Sequence, residues 1–429
     1  MDDLISAIAT AVGAGGIAVV RMSGRDALSV AKKMFSRKGD FEPNRMYAGE
    51  IDAGSFRDFG MCVYFRAPRS FTGEDVVEFH CHGGTEIARG ILRRTLALGA
   101  RLAERGEFTK RAYLNGKLSL SAAEGVGEMI AASSEAQVRA GYLLYNEKLT
   151  RLGTQLQNKL KHCLAEVDAD LDYPEEDLNA SSRKEIVGVL SDAEAELAAL
   201  LSQYAAGRKI KAGVSVALVG NPNAGKSSLF NALLGYDRAI VSDVAGTTRD
   251  VVEGTLEIGG VNFRLTDTAG LRESADAVER EGVRRAREAI KGADVIVWLK
   301  EDGDSPVFPE GIPVITVGAK SDLSRRGDCD VVLSSHTGEG LDALRQLLYE
   351  KGFGRENDGA FLLSERHYRA AQAALDAVRA ARNAAEEGLP PELYAEDIRR
   401  AWETLGTLSG ETASEAIVTE IFDKFCVGK

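Results

Sequence analysis

The spacing of apolar positions changes several times along the 429 residues. Short β-rich runs at Ile17 to Met22 and Gly60 to Phe65, with a helical stretch around Glu86 to Leu98, predict an α+β domain over residues 1–118. From Ser119 to Gly207 the pattern turns helical, and a helical segment is expected to run on to residue 211. Its clearest stripe is Ile186, Leu190, Ala193, Leu197, Leu201 and Tyr204, spaced by threes and fours, with Gly207 where a C-cap glycine belongs. Over residues 212–352 the apolar runs Val214 to Val219, Val295 to Leu299 and Val314 to Val317 alternate with helical segments, which predicts a mostly parallel, helix-covered sheet. Helices return over residues 353–429, broken at Pro390 and Pro391. An α/β domain inserted into a discontinuous helical domain accounts for this order.

Leu4 to Val20 is free of charge, but its flank is acidic (Asp2, Asp3) and Gly13, Gly15 and Gly16 interrupt it. A buried strand after a glycine turn is expected there rather than a leader or a membrane span. Asp plus Glu outnumber Lys plus Arg by 65 to 53, so bulk attraction to nucleic acid is excluded and any RNA contact is local or shared with a partner. The five cysteines, Cys62, Cys81, Cys163, Cys329 and Cys426, are scattered and never in a Cys-x-x-Cys spacing, as expected of a reducing, cytoplasmic location.

Chemistry enters at Gly220-Asn-Pro-Asn-Ala-Gly225-Lys226-Ser227, between a strand-like run and the helical Ser228-Leu-Phe-Asn-Ala-Leu. This is the phosphate-loop pattern: backbone N–H groups of Asn223, Ala224, Gly225, Lys226, Ser227 and Ser228 close around phosphates at a helix N-terminus. Lys226 reaches the β- and γ-phosphates and the Ser227 hydroxyl ligates magnesium (Mg2+). Asp267-Thr268-Ala269-Gly270 follows another strand-like run; Asp267 can hold magnesium through water and the Gly270 amide senses the γ-phosphate. Between them, Ser242-Asp243-Val244-Ala245-Gly246-Thr247-Thr248 offers a switch, with Thr248 as a third magnesium ligand. Guanine is expected to be read by Asp322 and Lys320, backed by Ser334, Ser335 and His336. Ala319 stands where an Asn-Lys-x-Asp motif has its Asn, which predicts weaker affinity with guanine selectivity retained. Leu271 cannot orient water as a glutamine does elsewhere.

These motifs, together with Leu271-Arg272, Val278-Glu279-Arg280, Gly16 to Gly24, Ser70 to Glu78, Gly106 to Lys117 and the terminal Cys426-Val-Gly-Lys429, resemble the MnmE (TrmE) family of transfer-RNA modification GTPases. The resemblance spans all three regions. It implies a potassium ion (K+) held by Asn223, Thr247 and carbonyls near Ser242 and Val244, and a catalytic Glu279 that positions the water. It implies a tetrahydrofolate (5-formyl or 5,10-methylene) bound by Arg21, Glu78, Lys117 and Lys429 in an N-terminal dimerisation domain, and a reactive Cys426. It also implies GTPase domains that meet across the active site, a homodimer, and a heterotetramer with a flavoprotein of the MnmG (GidA) type using FAD and NADH. The product is a carboxymethylaminomethyl or aminomethyl group at C5 of the wobble uridine (position 34). Departures from the family pattern are Ala11-Val12 and Arg105 in place of prolines, Ala319, and Ser334-Ser335-His336. His80 and His82 share one strand face but lack further ligands at a metal spacing. The alternative from another class is a GTP-dependent switch that binds RNA or assembling ribosomes without covalent chemistry.

Overall fold

The computed structural model describes residues 3–11, 13–172, 180–221, 223–236, 253–267, 287–301, 306–323, 328–354 and 361–428. Two compact units divide the chain. One comprises Met1–Gly127, Leu144–Glu166 and Ile398–Lys429, the other Glu128–Leu143 and Val167–Asp397.

The first unit is built on six strands: β1 (Ile5–Ile8), β2 (Ile17–Ser23), β3 (Met46–Asp52), β4 (Arg57–Phe65), β5 (Val76–His82) and β6 (Arg101–Leu102). Their order is β3-β4-β5-β2-β1-β6, antiparallel except for the last pair. The charge-free run Leu4 to Val20 thus holds two strands rather than one. Its glycines lie in the connection, and β2 follows them as expected, while β1 before them pairs antiparallel with it. Alternation sends Val20, Met22, Phe79 and Cys81 inward, onto helices α1 (Ala27–Met34) and α2 (Thr85–Ala97) through Val30, Met34 and Ile91. On the opposite face Ile17, Phe59, Met61 and Met46 stay exposed, at 66%, 63%, 46% and 48%.

Helix α3 (Glu107–Leu114) brings a charged core to this unit. Arg111, 1% exposed, donates to Glu107, to Glu74 and to both the carboxylate and the carbonyl of Asp3. Arg101 adds a second guanidinium on Glu107 at 2.7 Å. Burial pushes the Glu107 carboxyl up, but its bonds to Arg101, the Glu104 amide and Arg111 outweigh it and hold the group below its ordinary value. Helices α4 (Leu120–Ala131), α5 (Glu135–Tyr145) and α6 (Lys148–Asp172) follow.

The second unit holds α7 (Ala180–Ser202) and α8 (Tyr204–Ala212), then strands β7 (Val214–Gly220), β8 (Glu253–Ile258), β9 (Val261–Asp267), β10 (Val295–Leu299), β11 (Val314–Gly318) and β12 (Val331–Val332). The order is β12-β11-β10-β7-β9-β8, parallel except at β8. Ile186, Leu190, Ala193 and Leu197 are fully buried, the expected seam, and α7 packs along the helix Glu365–Glu386. Gly207 is not the C-cap foreseen from spacing. It lies inside α8, where a Cβ would stand 2.2 Å from the Leu362 carbonyl oxygen, and the helix ends at Gly213 with φ +80°. Close backbone approach, rather than helix termination, requires that glycine. Pro391 opens the helix Pro391–Ser409, where its missing N–H costs nothing.

Candidate functional site

The chain runs from β7 to β8 and β9 on one side, and the next strand, β10, falls on the other side of β7, so the strand order reverses at β7 and its carboxyl end is where such a sheet binds ligands. The chain there turns through Asn223 (φ +65°) and Gly225 (φ +102°) into helix α9 (Lys226–Tyr236). This is the strand, phosphate loop and helix foreseen from the motif. Lys226 is buried, and its Nζ donates to the carbonyls of Gly220 and Asn221, both at 2.9 Å. Burial lowers its pKa against the opposing pull of Asp267 and Glu301. Ser227 Oγ donates to Asp267 Oδ2 at 3.0 Å, so two of the three foreseen magnesium ligands are neighbours. Asp267 ends β9 beside Leu218 of β7 and is 6% exposed. Its Oδ1 is buried and has no hydrogen-bond partner among the described residues, an acceptor suited to a cation or to water bound to one. Ala224 is buried and Ser228 lies on the exposed side of α9.

The base-reading segment follows β11. Lys320 adopts φ +65° and its Nζ donates to the Asn223 carbonyl at 2.7 Å, tying this segment to the phosphate loop. Asp322 is exposed. Ser321 N donates to Leu333 O at 3.1 Å, and buried Ser334 accepts from the amides of His336 and Thr337 through its hydroxyl. Ser335 is partly exposed between them. The foreseen residues Ser242, Asp243, Val244, Ala245, Gly246, Thr247, Thr248, Thr268, Ala269, Gly270 and Glu279 lie outside the described residues, as do Leu271 and Lys429.

In the first unit, Arg21 of β2 faces Glu78 of β5 across the ladder, with Nε 2.7 Å from Oε1. The guanidinium lies 5.8 Å from the Phe71 ring centre and 5.6 Å from that of Phe108. His80 Nε2 is 3.1 Å from the other Glu78 oxygen, while His82 pairs with Asp58 at 2.7 Å. The two histidines therefore engage different carboxylates and do not converge on a metal. Lys117 donates to the Pro68 carbonyl at 3.1 Å, on the loop that carries Phe71. The C-terminal segment docks in the same unit. Gly106 N donates to Cys426 O at 3.3 Å, Arg105 Nε to Phe425 O at 3.0 Å, and a bridge pairs Arg105 with Val427. Gly428 (φ +96°) sits so close to Ile8 that a Cβ would stand 2.2 Å from its carbonyl oxygen. Cys426 is exposed, whereas burial pushes the Cys62 and Cys81 thiols up to about 12 and about 11.

A family model described as the MnmE helical domain matches residues 120–426, and one described as the GTP-binding protein TrmE N-terminus matches residues 4–117. The chain belongs to the MnmE family. The tRNA modification GTPase MnmE of Laribacter hongkongensis is 40% identical over 454 positions, spanning 100% of this chain and 99% of that protein. Its counterpart from Thermus thermophilus is 41% identical over 444 positions, with 100% and 99% covered. Among solved structures, a variant of Aquifex aeolicus Era bound to GDP.AlF4- is 28% identical over 38% of this chain and 65% of that one, with a TM-score of 0.28. As a member of the MnmE family the chain is a GTPase that binds GTP. No helix among the described residues is long and apolar enough to cross a membrane.

Two contributions escaped the motif reading. Glu301, just beyond β10, adds a second carboxylate to the field at Lys226. The Lys320 tie to Asn223 supplies a link that the motif's missing Asn was expected to remove. Only the strand order, which brings β10 and β11 alongside β7, could have pointed to either.

Proposed function

We propose that this chain is a potassium-activated GTPase which, with a flavoprotein partner, modifies C5 of the wobble uridine of certain transfer RNAs. The supporting observation is a phosphate loop with Ser227 on Asp267 in a chain that aligns end to end with proteins named tRNA modification GTPases. The organisation we favour is an N-terminal domain over 1–118, helical parts at 119–211 and 353–429, and a GTPase domain at 212–352.

Lys226 draws the β- and γ-phosphate oxygens into the loop, whose amides lie at the N-terminus of α9. Ser227, Thr248 and Asp267 would hold magnesium, and Asn223, Thr247 and the carbonyls of Ser242 and Val244 would hold potassium; the two cations would supply positive charge to offset that of the leaving γ-phosphoryl group. The unpartnered Asp267 oxygen fits that assignment. Glu279 orients the attacking water in place of a glutamine at 271. Lys320 and Asp322 hold guanine, packing on the ring and accepting its N–H donors.

In the N-terminal domain Glu78 accepts pterin N–H donors, and the exposed ring of Phe71 offers a stacking surface for a flat heterocycle. Arg21 sits between the two, while Lys117 and Lys429 attract the folate glutamate tail. The tetrahydrofolate supplies the one-carbon unit, and FAD and NADH on the partner supply the redox half. Cys426, exposed on a docked tail, is available to the reacting carbon. The apolar face bearing Ile17, Phe59 and Met61 suits a homodimer contact, and the location is cytoplasmic.

The test is mass spectrometry of nucleosides from bulk transfer RNA in a strain lacking the gene. The modified wobble uridine should return with the intact gene and not with Glu279→Ala. A profile unchanged by deletion, with no redundant gene, refutes the assignment.

A further inference from the structure

The strands that bring chemistry to the nucleotide do so at their carboxyl ends: β7 runs into the phosphate loop and β9 ends at Asp267. Their opposite ends converge on one place, the turn between α4 and α5. Asn262, a polar side chain only 8% exposed at the start of β9, donates Nδ2 to Ser133 Oγ at 2.8 Å. That hydroxyl donates to Gln137 Oε1 at 3.2 Å, and the Ser133 amide donates to the same oxygen at 2.6 Å. Gln137 Nε2 then donates to the carbonyls of Ile210 and Lys211 at 3.2 and 3.0 Å, in the last turn of α8 just before β7. A backbone bond, Ala136 N to Gly260 O at 2.8 Å, fastens the β8–β9 turn to the same spot.

Simple packing of a turn against a sheet needs none of this polarity, since an apolar side chain at 262 fills the space without a buried amide to satisfy. The chain of bonds instead links the start of β9 to the last turn of α8, which leads directly into β7. It also draws Glu128–Leu143 into the unit that holds the phosphate loop, while the residues on either side of that segment belong to the other unit. A strand rises about 3.3 Å per residue, so β7 spans roughly 20 Å and β9 from Asn262 to Asp267 about 16 Å. Both are packed within a parallel sheet, which moves as a body rather than bending.

We propose that Asn262, Ser133 and Gln137 form a mechanical joint through which changes at the phosphate loop and Asp267 during GTP turnover pass to the α4–α5 turn, and along the chain to residues 127 and 144. The joint couples hydrolysis to transfer-RNA modification, and in that respect it rests on the function proposed above. The three side chains are positioning residues and touch no substrate.

The experiment uses the full chain with its flavoprotein partner, substrate transfer RNA and GTP. Asn262→Leu and Gln137→Met keep volume and remove the polar links. GTP hydrolysis should stay within about twofold of wild type while modified uridine per GTP consumed falls at least tenfold, and Ser133→Thr, which keeps the hydroxyl, should retain the wild-type ratio. An unchanged ratio in both apolar variants overturns the joint. Amide hydrogen exchange on the wild-type chain gives an independent reading. The Ala136 amide should differ at least fivefold between GDP and a non-hydrolysable GTP analogue, and Gln137→Met should abolish the difference. Equal exchange in the two nucleotide states overturns the joint even if the variants misfold. A wild-type complex that leaves uridine unmodified refutes the proposed function, and the exchange measurement still decides the joint.

Discussion

Restoring a carboxamide at position 319 should tighten guanine nucleotide binding. Ala319 is partly buried, and its Cβ lies 3.9 Å from the point where a Cβ on Gly225 would stand, so a longer side chain directed there meets the phosphate loop without a clash. The link between the two loops that the structure displays is Lys320 Nζ on the Asn223 carbonyl at 2.7 Å, made by an exposed lysine. One added hydrogen bond is worth about 0.5–1.5 kcal/mol net, so Ala319→Asn should lower the Kd for GTP and GDP about two- to twelvefold. Lys320→Met keeps the stem over the base and removes the tie, and should raise Kd by a similar factor, because exposure discounts the charge-assisted bond. Titration of a fluorescent guanine nucleotide at fixed magnesium and potassium reads both, and the double variant reports whether the two links share one function. If Ala319→Asn leaves Kd unchanged while the thermal melt is intact, the inter-loop tether is not what limits affinity, and the reasoning from the motif departure fails.

Four further outcomes follow from the first unit. Arg111→Met should cost about 3 kcal/mol, read from urea unfolding, because it removes the buried guanidinium that Glu107, Glu74 and Asp3 share and leaves Arg101 as the cation on Glu107. Glu107 has a lowered folded pKa, so its contribution is present above the ordinary carboxylate range and lost as pH falls through the folded value; wild-type stability should therefore drop below about pH 4.5, and less steeply in Arg111→Met. Gly428→Ala should free the C-terminal segment, since the new Cβ meets the Ile8 carbonyl and φ is positive; faster amide exchange at Gly106 checks it, and unchanged exchange speaks against tight docking. Iodoacetamide at neutral pH should label Cys426 before Cys62 and Cys81, whose buried thiols are raised to about 12 and about 11; peptide-resolved mass spectrometry orders the three.

The strands at Val214, Val295 and Val314 were legible because a fully buried parallel strand is apolar at nearly every position, and the phosphate loop because its glycines and lysine permit little else. In Leu4 to Val20 the glycine turn and the strand after it were legible, but β1 before the turn was not, because absence of charge marks burial without marking how many strands share it. Gly207 misled because its cause, the Leu362 carbonyl, lies far away in sequence. The Arg111 cluster was invisible for the same reason: Asp3 and Glu107 come together only when β1 has paired with β6, and Glu74 joins them only when β5 has paired with β2 and β2 with β1. Glu279 was singled out by family likeness alone, since nothing in the chemistry of an isolated glutamate distinguishes it.

The first unit gathers its parts from widely separated stretches of chain, with Ile398–Lys429 as the last contributor. A ribosome adding 5–20 residues per second takes about 14–54 s to make the roughly 270 residues between Gly127 and Ile398. Throughout that time the nascent unit lacks the segment that pairs with Arg105 and packs its Phe422 and Phe425 beside Leu120. Its newborn chain therefore exposes for that interval the apolar surface that Phe422 and Phe425 later cover, and a codon change that slows synthesis between those points lengthens the exposure without altering a single residue.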